Sequence, residues 1–360
     1  MILKFQYLKA IFPGVVLALV FCLFSQGINN VIAIEIFGNT KSPISTVLIA
    51  ILLGILMGNA FTPRPGMMIG LDFTQQYILK IGIIFLGIRL SFEELIKFGT
   101  IAIPLIIFCI VGVLILIKLL IKMVPISSKM SYLIAIGTSV CGATAIVATA
   151  PVINAKKTEI AYAIANITLF GVIAMILYPY FAEWYFESEP LKSGLFLGTS
   201  IHETSQVAAA GLIYDQQFNS PETLNVATVT KLIRNTFLVV MIPLFAFLYN
   251  RGEIKNEKYS ILNIFPYFVI GFIGMIVVRN LGDQFFTSEK NNYEIWVNFI
   301  EYIKILATVF LTMAMAAVGI SINLNELKSM GYKPFIVGLI AAITVGIISL
   351  AYIEISTKII

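Results

Sequence analysis

The residues best suited to chemistry gather in three short stretches inside otherwise apolar sequence. The first, GTSVCGATAIVATA from Gly137 to Ala150, sets Thr138, Ser139, Cys141 and Thr144 around Gly142. The second, GTSIHETSQVAAAG from Gly198 to Gly211, carries Thr199, Ser200, His202, Glu203, Thr204, Ser205 and Gln206. The third, ATVTKLIRN, holds Lys231 and Arg234 three residues apart, hence on one face of a helix. A polar group surrounded by hydrocarbon is costly unless it faces a cavity or a partner. Glycine beside small hydroxyls suits an unwound stretch, because glycine tolerates open backbone conformations and the hydroxyls re-satisfy freed amides. Half-helix N-termini formed there would turn partial positive charge towards a bound anion. The competing explanation is that the small residues only let helices pack closely.

His202 is the chain's single histidine, and Glu203 follows it directly. Such a pair inside a membrane suits proton relay, since histidine titrates near neutrality. The structural alternative has Glu203 paired with a cation and His202 donating to a carbonyl. Lys231 and Arg234 are expected to divide their work, one neutralising Glu203 and the other facing substrate, unless snorkelling from a membrane face relieves them. Asn59 and Asn166 read as helix glue or caps, and Lys80 as a snorkelling residue. The 181–190 stretch FAEWYFESEP reads as a loop with the aromatics and acids of an interfacial belt.

The elements that must position these groups are transmembrane. Of 360 residues, 59% are hydrophobic and 12% charged, where a soluble domain carries about 25% charged residues, and mean hydropathy is +0.95. A helix of about 20 apolar residues crosses a bilayer core. Hydrophobic segments run over 11–31, 43–60, 72–90, 100–122, 130–150, 158–182, 191–213, 223–249, 260–279, 300–322 and 333–357. They form one transporter domain, 1–360. The first is read as a retained span and not a signal peptide, for no small-residue cleavage site follows it. The net charge of +5 is dispersed over short loops, so it speaks of topology, with the N-terminus and the loop carrying Lys118, Lys122 and Lys129 cytoplasmic, and not of nucleic acid. Cys22, Cys109 and Cys141 all fall in apolar segments and suggest neither disulfides nor a thiolate metal site. There is no Walker-type loop to power a pump.

Two internal repeats stand out. GIRLSFEELIKFG at 87–99 and GISINLNELKSMG at 319–331 share end glycines and align Glu94 with Glu326; both glutamates read as helix caps. Seven segments separate the copies, so they are expected to point in opposite directions, an inverted-topology repeat of the kind built into secondary transporters. The GTS stretches align 61 residues apart, and either both span or both re-enter as hairpins. The fold class expected is an all-α polytopic membrane protein with about 9–11 transmembrane helices, inverted-topology repeats, and two broken or re-entrant helices crossing near the midplane.

GTSVCGATAIVATAPVI, SIHETSQVAAAG and ATVTKLIRN closely resemble the signature stretches of the bacterial YeiH family, which carries a sulfate-exporter label, over nearly the whole chain. The layout is also similar to the bile-acid/arsenite/riboflavin transporter group, whose folds are inverted repeats with two interrupted helices. The resemblance implies a multi-pass protein of the bacterial cytoplasmic (inner) membrane and a secondary active exporter of a small anion such as sulfate or a sulfonate, coupled to H+ or Na+. The binding set would be Thr138, Ser139, Cys141, Gly142, Thr144, Thr199, Ser200, His202, Glu203, Ser205, Gln206, Lys231 and Arg234. No catalytic residue, metal or cofactor is expected. The partners expected are the anion, the coupling ion and the lipid bilayer, with a homo-oligomer open and nucleic acid excluded. The alternative is a cation/proton exchanger working through Glu203 and His202. An intramembrane enzyme using Cys141, His202 and Glu203 ranks third, because Cys141 and His202 occupy matching repeat positions.

Overall fold

The computed structural model describes residues 2–37, 42, 44–61, 64–123, 127–151, 153–242, 244, 266–286, 293–323 and 332–356, and among them every regular element is helical. Among the described residues, eight stretches are long and apolar enough to cross a membrane: Lys9–Ile36, Pro65–Arg89, Phe92–Leu116, Lys157–Phe186, Pro221–Ile242, Phe268–Phe285, Tyr293–Ser321 and Tyr332–Ser356. Three of the eleven hydrophobic segments behave otherwise. Thr46–Ala60 is an apolar helix of only 15 residues, and each GTS segment divides into two shorter helices. Large apolar side chains such as Phe12, Leu56, Ile96, Leu177 and Ile347 face outward, as lipid-facing side chains do.

The chain divides into two compact units. The first comprises Met1–Leu95, Leu212–Pro221 and Tyr267–Leu324. In it, α1 (Ile2–Val31) packs on α3 (Pro65–Phe73), and α2 (Thr46–Ala60) on the long helix Tyr293–Ser321. Both contacts depend on glycine. A Cβ on Gly14 would run into the backbone of Met67 and Gly70, and one on Gly54 into the backbone of Ala316 and Gly319. This is the small-residue route to helix association where lipid removes the hydrophobic driving force. The segment expected to begin at 72 starts at Pro65, which occupies the first helical turn where a missing N–H costs nothing. A π-turn at Thr74–Ile78 joins α3 to α4 (Leu79–Leu86). Gly87–Arg89 is a 3-10 turn, after which Ser91 and Glu94 exchange side-chain-to-backbone hydrogen bonds of 3.1 and 2.8 Å. That capping box is the role read for Glu94; Glu326, its counterpart, lies outside the described residues. Arg89 pairs with Asp215 at 3.0 Å.

The second unit comprises Ile96–Gly211, Glu222–Pro266 and Asn325–Ile360. It contains most of α5 (Phe92–Met123), then α6 (Ser128–Ser139), α7 (Ala143–Thr149), α8 (Lys157–Phe186), α9 (Pro190–Ser200), the first half of α10 (Thr204–Phe218), and α11 (Pro221–Thr236) from Glu222. The helix Tyr332–Ser356 packs on α6, α8 and α9. The expected aromatic loop at 181–190 is mostly helix. α8 runs on to Phe186 because Phe181 stacks on Tyr185 one turn later, with centroids 5.6 Å apart. The chain then turns through left-handed Glu187 and Ser188 into Pro190, the first residue of α9. Trp184 and Tyr185 remain exposed, as an interfacial anchor requires.

Candidate functional site

Each GTS motif ends one helix and begins another. α6 stops at Ser139 because the backbone turns at Val140 and reaches Gly142 with φ of 62°, a conformation glycine alone adopts without strain. The Gly142 N–H returns to the Gly137 carbonyl at 2.9 Å, and α7 starts at Ala143. α9 stops at Ser200, Ile201 is extended, and α10 starts at Thr204. The two interruptions fall at matching positions of the repeated motif.

A helix end leaves its last carbonyls without intrahelical donors and carries about half a negative charge. Here two such ends, those of α6 and α9, are served by one helix. α11 approaches α9 closely because Gly194 and Gly198 lack side chains; a Cβ on either would press on Val226 or Thr230 and on the backbone of Thr223 or Ala227. From that distance Lys231 Nζ donates to Val140 O at 2.9 Å, Ile201 O at 3.0 Å and His202 O at 2.5 Å. Arg234 donates through Nε to Ser139 O at 2.8 Å, through Nη1 to Thr199 O at 2.5 Å and Ile201 O at 3.3 Å, and through Nη2 to Thr138 O. Both side chains are 0% exposed. Each cation thus bridges carbonyls at equivalent repeat positions, Lys231 those of Val140 and Ile201, Arg234 those of Thr138 and Thr199. The two breaks meet, and two cations fasten them.

Glu203 serves the opposite poles. Its carboxylate accepts the Ala143 N–H at 3.2 Å, capping α7, while its own N–H donates to Gln206 Oε1 at 3.1 Å at the start of α10. One residue therefore links the N-terminal ends of both second half-helices, where negative charge is favoured. The Gly142 gap makes room for it: a Cβ there would strike the Glu203 side chain. The expected ion pair between Glu203 and a cation is not among the described salt bridges. The physical reason is that the carbonyl ends of two helices offer Lys231 and Arg234 more acceptors than a single carboxylate does. Glu203 is partly exposed, the only one of the three charged groups that is.

The remaining sequence-derived residues divide clearly. Ser139 and Thr199 return their hydroxyls to carbonyls one turn back, Ala135 O and Leu195 O, at 2.6 and 2.7 Å. Cys141 and Ser205 are buried beside the breaks. The hydroxyls of Thr138 and Ser200 and both ring nitrogens of His202, itself 1% exposed, have no hydrogen-bond partner among the described residues. Thr144 is exposed on α7 and is not drawn into the cluster. Two contributors had little sequence signal. Ser349, a lone serine in an apolar run, meets the Thr199 hydroxyl at 2.6 Å, and Asn235 Nδ2 donates to Thr204 Oγ1 at 2.8 Å. Asn166, read as helix glue, donates to Pro334 O at 2.7 Å.

Counting about half a charge for each helix end, the two C-terminal and two N-terminal poles cancel. Lys231, Arg234 and an ionised Glu203 then leave roughly one positive charge in excess. The fold and this centre define a polytopic all-α membrane protein built around two interrupted helices that are fastened by buried cations. The sequence model of the family described as "Conserved hypothetical protein 698" matches residues 13–338. The chain belongs to this family, the UPF0324 or YeiH membrane proteins. It is similar to UPF0324 membrane protein FN0533 of Fusobacterium nucleatum, 33% identical over 321 residues, covering 88% of this chain and 91% of that protein. It is likewise similar to a UPF0324 membrane protein of Clostridium tetani, 29% identical over 358 residues, covering 95% and 96%. No solved structure matches it.

Proposed function

We propose that the chain is a secondary transporter of the bacterial cytoplasmic membrane that carries a small anion together with a proton held on Glu203. The observation behind this is the charge imbalance at the crossing, the place where the two breaks meet: two buried cations against one carboxylate. An excess positive charge in a low-dielectric site attracts an anion and disfavours a free cation. Lys231 has spent its three ammonium protons on carbonyls, so it acts on substrate through its field and not by contact. The one partly exposed group of the three is Glu203. As a carboxylate it repels an approaching anion; protonated, it removes a negative charge and offers an O–H donor. The other titratable groups beside Glu203 are the Lys231 ammonium, whose charge reaches it, and the Cys141 thiol. His202, adjacent in sequence, and Thr138 and Ser200 supply buried polar atoms that have no hydrogen-bond partner among the described residues. Catalysis is the poorer reading, because Cys141 and His202 stand at equivalent motif positions and the repeat accounts for them.

Sulfate and small sulfonates are the first anions to test, on the strength of the family resemblance. Purified protein should be screened by thermal unfolding against sulfate, sulfite, thiosulfate, taurine and small carboxylates from pH 5 to 8. Saturable stabilisation by an anion, stronger at low pH, is the expected result. Stabilisation by metal cations with none by any anion would replace this reading with cation/proton exchange through Glu203.

A further inference from the structure

We infer that the Lys231 ammonium is a resident substitute for a monovalent coupling cation, so that transport at this crossing runs without sodium and removing the side chain uncovers a site for Na+, K+ or NH4+. The inference rests on the crossing being the transport site and adds the identity of its coupling chemistry. Unwound carbonyls and half-helix C-terminal ends are the groups from which transporters build sodium sites. Here those groups converge on one nitrogen. Val140 O, Ile201 O and His202 O surround Lys231 Nζ at 2.9, 3.0 and 2.5 Å. Three acceptors match the three protons of an ammonium; a neutral amine would leave one carbonyl facing a lone pair.

The position is also prepared for permanent occupancy. Lys231 is wholly buried, and its helix is held against α9 by the side-chain-free surfaces of Gly194 and Gly198. The negative poles of α6 and α9 require a positive charge at this point whatever else is bound. A covalently attached ammonium meets that requirement without leaving the site, so the cradle does not take up and release sodium and cannot couple a sodium gradient. Arg234 satisfies the neighbouring carbonyls of Thr138, Ser139 and Thr199 by itself. Loss of Lys231 therefore opens a local oxygen cradle and leaves the rest of the fastening in place.

The test is thermal unfolding of purified wild-type protein and Lys231→Ala, with LiCl, NaCl, KCl or NH4Cl replacing choline chloride at constant chloride and ionic strength. The expected result is a saturable rise of several degrees in Lys231→Ala with at least one small monovalent cation, and no cation-specific rise in the wild type. A folded Lys231→Ala that responds to none of them overturns the inference. So does sodium-specific stabilisation of the wild type, a measurement that stands even if the variant cannot be purified, while wild-type insensitivity then supports it. Failure of the anion reading is separately visible: no anion would stabilise the wild type, whatever Lys231→Ala does with cations.

Discussion

Arg234→Ala gives the strongest structural consequence that can be worked out from the crossing. The guanidinium makes four hydrogen bonds, to the carbonyls of Thr138, Ser139, Thr199 and Ile201. Bonds to a charged group are worth about 1.5–3 kcal/mol each, but their sum overstates the loss, because the four acceptors share one donor group and relax together. Each buried carbonyl left without its donor costs about 1–3 kcal/mol, and with relaxation shared among the four a loss of about 3–5 kcal/mol is expected for Arg234→Ala. It would consume a large share of a typical total of about 5–15 kcal/mol. Arg234→Lys keeps the charge but lacks the fork that spans the ends of both α6 and α9, so its loss should fall between the wild type and alanine. The assay is urea unfolding of the purified protein in mixed micelles, followed by the fluorescence of Trp184 and Trp296. If Arg234→Ala lies within about 1 kcal/mol of the wild type, the size of an average point substitution, then Arg234 does not fasten the two breaks.

Gly142→Ala should destabilise by about 1–3 kcal/mol through its positive φ. It should also displace the Glu203 carboxylate from Ala143, so the pH response of anion binding should change along with the unfolding midpoint. Thr199→Val and Ser349→Ala should show a coupling of about 0.5–1.5 kcal/mol in a double-mutant cycle, because the two hydroxyls meet at 2.6 Å. Additive effects would mean that the contact contributes nothing.

The helix breaks were legible because Gly142 and the polar run from His202 to Gln206 cannot continue an apolar helix without a reason. The pairing of the breaks was legible from the repeat itself. The partners of Lys231 and Arg234 were not. A sequence displays charges and invites pairing them, whereas the carbonyl ends that hold both cations exist only once two helices have stopped at the same place. Thr144 stands on an exposed face for a similar reason. It belongs to the motif, but it shares a helical face with Val147, and that face of α7 is exposed. The expected loop at 181–190 is mostly helix because Phe181 and Phe186 pack on Phe196 and carry α8 another turn. Ser349 gave no warning, since one serine in an apolar helix most often returns its hydroxyl to its own backbone.

In the proposed cycle an anion and a proton on Glu203 are bound together at the crossing. This joint binding is tested most directly by uptake of a stabilising anion into proteoliposomes carrying a pH-sensitive dye, for wild type and Glu203→Gln, in choline medium from pH 5 to 8. The expected result is wild-type uptake that rises as pH falls and acidifies the lumen, with Glu203→Gln taking up anion at a rate independent of pH and without acidification. Uptake by Glu203→Gln with the wild-type pH profile, or anion movement in the wild type with no accompanying proton, would contradict it.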